Sequence, residues 1–254
     1  MSPEPSHPNR YALSVSFNPE ILRLAAYGGL VMLLIVGYVV THFFVHVPPT
    51  ETAIYELFGF NHTCNILDYE PSRTITAMLL PFWEIPFLLY LIFHVLRVHD
   101  GYREGIVPRY VLVMALAFAP VEILLTVWFR VIFVWSPEVY FLGHYLPYVG
   151  FQFLLFLTAF GNVLYFNAVG ALPFNRRRLA IAYLVVLSTV TALLITFGLS
   201  VALGSPILNS VGNETHRAIF RSLSVSYVVL VIPIPMILSW MELKRSPKHT
   251  LTLE

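Results

Sequence analysis

The sequence predicts an all-α polytopic membrane protein, a bundle of six transmembrane helices with both the N and C termini cytoplasmic. Three observations predict it. Hydrophobic residues make up 57% of the 254 and charged residues only 11%, against about 25% charged in a soluble domain. The apolar residues fall in blocks of about twenty or more, long enough to cross roughly 30 Å of hydrocarbon as helix. Lys and Arg gather in alternate connections, the pattern of chains whose basic loops stay in the cytosol. The net charge of +1 gives no reason to expect a nucleic-acid partner.

Residues 1–20 read as a polar, proline-rich cytoplasmic tail. They lack the basic segment, short apolar core and small-residue cleavage site of a cleaved signal peptide, so the first span is expected to target the chain. No terminal lipidation motif is read. The transmembrane domain covers 21–242, with spans at 21–46, 76–97, 110–135, 143–167, 178–204 and 219–242, and residues 243–254 form a second cytoplasmic tail. Runs such as LVMLLIVGYVV and LAIAYLVVL leave no polar face wide enough for a helix lying in water. Pro81, Pro86, Pro120, Pro147, Pro233 and Pro235 lie inside spans, where each frees a carbonyl and is expected to kink its helix. Only a few residues around Ser136–Pro137–Glu138 join spans three and four, which predicts an antiparallel hairpin.

Orientation follows from the basic residues. Arg10, Arg23, Arg97, Arg103, Arg109, Arg176, Arg177, Arg178, Lys244, Arg245 and Lys248 make eleven of the fifteen Lys and Arg, and all fall on one side. Arg73, Arg217 and Arg221 lie in the opposite loops, and Arg130 within a span. The first set is expected to be cytoplasmic. Asn61–His62–Thr63 and Asn213–Glu214–Thr215 are glycosylation sequons in the first and fifth loops, so Asn61 and Asn213 are candidate glycan sites on the lumenal side. Cys64 is the single cysteine, which excludes an internal disulfide.

Ionisable groups inside a bilayer are costly, and they usually face the bundle interior. Glu84, His94, Glu122 and Arg130 are the clearest here. Glu122 and Arg130, eight residues apart, could line adjoining parts of one cavity without pairing, and Arg130 could equally snorkel to the lumenal interface. Glu122 reads either as a hydrogen-bonded carboxyl joining helices or as a group that handles substrate. His144 re-enters the membrane at the depth of Arg130, and Gln152 and Asn162 follow on the same span as a polar seam. His42 and His46 share a helix face, but with no third ligand in view no metal is expected. No cofactor is expected: spans carry no lysine for a retinal Schiff base, and the histidines sit mostly at span ends, unsuited to haem. Arg176–Arg178 reads as a topology determinant, short of the four to eight basic residues of a dedicated anionic-lipid site. Trp135, Tyr140, Tyr145 and Trp240 read as an interfacial belt.

Three local patterns resemble the Frag1/DRAM/Sfk1 family, which includes a post-GPI-attachment factor and the N-terminal domain of a yeast cell-wall protein. They are His62–Thr63–Cys64 followed by Pro71–Ser72; Val121–Glu122 followed by His144; and the final stretch AIFRSLSVSYVVLVIPIPMILSWMEL. The glutamate that precedes the family's last-span tyrosine is absent, with Ser224 or Ser226 nearby. The resemblance implies lipid handling, with GPI-anchor fatty-acid remodelling in the Golgi or endoplasmic reticulum the leading expectation; the lysosome or plasma membrane is the alternative location. It implies membrane lipids, including GPI-anchor intermediates, as partners. If the protein is an enzyme, an acyltransferase-like activity would use His144 as general base with Glu122, while Arg130, Glu84 and Gln152 line the headgroup cavity. The alternative is a scaffold or accessory subunit that binds other membrane proteins through its cytoplasmic face. A transporter using Glu84 and Glu122 is a third reading, disfavoured by the lack of internal repeats.

Overall fold

The computed structural model describes residues 13–59, 66–172, 176–204, 214–245 and 250–253. Six helical stretches are long and apolar enough to cross a membrane: Glu20–Phe44, Ser72–Arg103, Arg109–Phe133, Phe141–Ala168, Arg177–Ala202 and Glu214–Arg245. In chain order the elements are β1 (Leu13–Ser16), α1 (Glu20–Phe44), α2 (Ala53–Phe58), α3 (Ser72–Arg103), α4 (Arg109–Phe129), α5 (Phe141–Ala168), α6 (Arg176–Ala202), α7 (Glu214–Val231), α8 (Pro233–Arg245) and β2 (Thr250–Leu253). A short 3-10 turn, Arg130–Phe133, extends α4.

An even number of crossings returns both ends of the chain to one end of the bundle, where β1 and β2 pair antiparallel. The α3–α4 and α5–α6 connections share that end, together with Arg103, Arg109, Arg177 and Arg178. It is the Arg-rich end; Arg73, Arg217 and Arg221 lie towards the other, the loop end.

α5 is the central helix. Leu154, Leu155, Leu157, Ala159 and Val163 are all buried, whereas α4 exposes Val113, Leu116, Leu124 and Val127. A helix that is apolar all round and buried on only one side has hydrocarbon as its natural surroundings. α1 runs closely along α3. A Cβ built on Gly29 would stand 2.5 Å from the Phe82 carbonyl oxygen, so the two backbones meet where only hydrogen fits, the small-residue packing of membrane helices.

The second and sixth spans depart most from the stretches that the apolar runs predict, at Ser72–Arg103 and Glu214–Arg245. α3 continues to Arg103, past its apolar stretch, because His99, Asp100 and Arg103 can remain helical where the helix leaves hydrocarbon. The sixth span is two helices meeting at Ile232–Pro233, since Pro233 has no N–H to continue the ladder. Pro81, Pro86, Pro120 and Pro147 lie within unbroken helices. Asn61 and Asn213 lie outside the described residues.

Candidate functional site

At the loop end, His144 is fully buried and anchors the first loop. Its Nδ1 faces the carbonyls of Trp135 at 2.8 Å and Ile132 at 3.1 Å, and its Nε2 lies 2.8 Å from Oδ1 of Asp68. Both side chains are wholly inaccessible. The contact is an ion pair by distance, although the carboxylate oxygens make no well-aligned hydrogen bond among the described residues. Burial pushes the Asp68 carboxyl above its usual value, while the His144 imidazole beside it works in the opposite direction. Ser72 fixes the approach of the loop, its hydroxyl donating to the carbonyls of Ile66 at 2.5 Å and Gly37 at 3.1 Å. Tyr69 donates its hydroxyl to Glu138, tying the first loop to the α4–α5 turn.

Further along the bundle, Arg130 grips Glu84 with two nitrogens. Nε lies 2.9 and 3.0 Å from the two carboxylate oxygens and Nη2 lies 2.6 Å from Oε2. Glu84 is 1% exposed and the Arg130 side chain 59%. The guanidinium therefore sits on the outer face of the bundle, and its forked geometry suits a planar carboxylate.

A third system runs through the interior towards the Arg-rich end. Thr158 donates to Glu122 at 2.9 Å, Asn162 donates to the Thr158 carbonyl at 2.7 Å, and Tyr90 donates to Asn162. His94 lies 3.4 Å from the Tyr90 hydroxyl and accepts from Arg97 at 2.9 Å. Arg97 in turn binds Glu20 at 2.7 Å, and Arg23 approaches Glu20 at 3.5 Å. The Arg97 guanidinium stacks over Tyr165 at 4.3 Å, and that of Arg23 lies 5.5 Å from Tyr27 and 5.7 Å from Tyr90, distances at which aromatic faces offset part of the cost of a buried cation.

Two spaces complete the picture. An apolar crevice of about 50 Å³ opens between α1, α5 and α7, walled by Leu30, Leu33, Leu194 and Val228, with Gln152 and Ser224 among its few polar residues. Tyr227 also lines it and donates its hydroxyl to the Gln152 carbonyl. A smaller space of about 20 Å³ beside Glu122 is shared with Tyr90, His94, Thr158 and Asn162.

Of the residues expected around one headgroup cavity, Arg130 and Glu84 bind each other, while the others stand apart from that pair. His144 is held by Asp68, Arg130 by Glu84 and Glu122 by Thr158, while Gln152 borders the apolar crevice. With both ring nitrogens facing acceptors and no exposed surface, His144 is poorly placed to take a proton from a lipid hydroxyl. Arg23 and Arg97, counted in the sequence only as topology markers, lie inside the bundle. Helical spacing carried the signal: positions 20, 23 and 27 share one face, as do 90, 94 and 97. Asp68, in a loop, had no such signal. No group of three potential metal ligands occurs among the described residues. Comparison with protein-family models, curated proteins and solved structures finds no match.

Proposed function

We propose that the protein handles membrane lipids by lodging a few methylene groups of an acyl chain in the crevice between α1, α5 and α7. The observation that carries this reading is the crevice itself: an opening into the bundle, lined almost wholly by apolar side chains and edged by Gln152, Ser224 and Tyr227. An acyl chain gains no hydrophobic free energy by leaving lipid for such a slot. Binding there depends on shape and on the polar edge, which selects what is attached to the chain. The motif resemblance supports GPI-anchor intermediates as the lipid class and Golgi or endoplasmic reticulum membranes as the place. The burial of His144 favours binding or presentation of that lipid over acyl transfer by this chain.

The test is lipid mass spectrometry of the purified protein and of Val228→Trp, which fills the crevice from its 40%-exposed edge. The wild type should retain a defined acylated lipid that the variant loses while keeping its thermal stability. Equal retention by both would overturn the crevice assignment. Expression in cells deficient in GPI-anchor remodelling addresses the lipid class: saturated anchor chains should reappear with the wild type and not with the variant.

A further inference from the structure

A cavity of about 220 Å³, larger than the crevice, opens at the Arg-rich end. Asn18, Arg97, Tyr165, Glu242, Arg245 and Ile106 line it, drawn from the ends of three spans, the segment before α1 and the α3–α4 turn. Its size is below the roughly 300–1,000 Å³ of pockets for drug-sized ligands and suits a small polar group.

Its charges are mixed. Arg97 and Arg245 face a cavity that also holds Glu242. Arg97 is nearly inaccessible at 3% and uses Nη2 on Glu20 and His94, while its Nε has no hydrogen-bond partner among the described residues. Oε2 of Glu242 likewise has none. Arg245 spends Nη1 on the Gly170 carbonyl at 2.9 Å. Arg97 Nε and Glu242 Oε2 are themselves closed off from the space, so what the cavity offers is two guanidinium side chains and a carboxylate side chain along one wall, both signs of charge in one opening. A ligand with an anionic group and an N–H donor a few bonds apart matches both.

Depth identifies where that ligand comes from. Exposed Tyr102, Tyr110 and Trp240 surround this end, and Lys244 lies 5.1 Å over the Trp240 ring. Aromatics of this kind settle at the headgroup level of a bilayer.

We propose that this cavity binds the headgroup of an aminophospholipid, phosphoethanolamine or phosphoserine, with phosphate against Arg97 and Arg245 and the primary ammonium against Glu242. A choline headgroup carries no N–H and leaves the Glu242 carboxylate unsatisfied. The site stands apart from the acyl crevice and does not depend on it.

The full chain, purified and delipidated in detergent, is titrated with phosphatidylethanolamine, phosphatidylserine, phosphatidylcholine, phosphatidylglycerol and soluble phosphoethanolamine, and bound lipid is counted by native mass spectrometry. The two aminophospholipids should be retained about tenfold more tightly than phosphatidylcholine, the worth of one charged hydrogen bond. Glu242→Gln should remove that preference, Arg245→Gln should weaken every phospholipid, and Val228→Trp should leave the preference intact. Equal retention of phosphatidylcholine, equal retention of phosphatidylglycerol, or soluble phosphoethanolamine binding as well as the lipid would each overturn the assignment. So would an unchanged preference in Glu242→Gln.

Discussion

Among the described residues, Glu20 is the carboxylate that touches both buried guanidiniums, bonding Arg97 at 2.7 Å and approaching Arg23 at 3.5 Å. Replacing it by Gln takes away the carboxylate that touches both cations, and breaking a buried pair in this way costs about 3–5 kcal/mol. Glu20→Gln should therefore lower the thermal midpoint far more than Glu104→Gln on the exposed α3–α4 turn, a comparison that a melting curve in detergent settles. Asp68 gives a prediction in pH. Its folded value lies above 3.8 because burial outweighs the opposing His144, so the folded state holds the proton more tightly than the unfolded chain does. Its contribution to stability is fully present below pH 3.8 and declines as pH rises through the folded value. Asp68→Asn should flatten that decline in the thermal midpoint measured from acid towards neutral pH. The polar helix faces that carry Glu20 and Arg97 were within reach of the sequence through helical spacing, whereas their meeting across 77 residues was not. Nor was the Asp68–His144 contact, because it joins a loop to a helix that begins more than seventy residues later, and no local pattern encodes that meeting.

Elements show a different balance between pattern and packing. All six spans were legible because hydrocarbon demands about twenty apolar residues in a row, a condition written directly in composition. The extension of α3 to Arg103 was not legible from that condition, since helix outside the bilayer needs no apolar face. The sixth span shows the converse: one apolar run is two helices, α7 and α8, because proline chemistry acts on the backbone and not on hydropathy. The α1–α3 contact rests on Gly29, where a Cβ would meet the Phe82 carbonyl oxygen at 2.5 Å. Gly28, beside it, has open space around its own. Gly29→Ala should destabilise by about 1–3 kcal/mol through overpacking, while Gly28→Ala should be neutral or better, since alanine favours helix. Unfolding in a denaturing detergent series distinguishes the two.

At the scale of the whole molecule, the helices divide the polar groups between two ends with different work. The loop end is closed, with Asp68 and His144 locking the first loop over the bundle. The Arg-rich end holds the open cavity and the buried cations. The acyl crevice lies between them, against the central α5. Both proposed lipid contacts require the bundle to stand in a membrane with the Arg-rich end facing the cytosol, the orientation that the basic residues predict. The direct test is site-specific labelling with a membrane-impermeant maleimide in sealed, right-side-out cells or cytosol-side-out microsomes. Single cysteines are placed on a Cys64→Ser background, Glu104→Cys in the α3–α4 turn and Ser136→Cys in the α4–α5 turn. In microsomes, Glu104→Cys should label at once and Ser136→Cys only after the membrane is opened. Reaction of both positions from the same side would contradict the six-span account, and the reverse order would contradict its orientation.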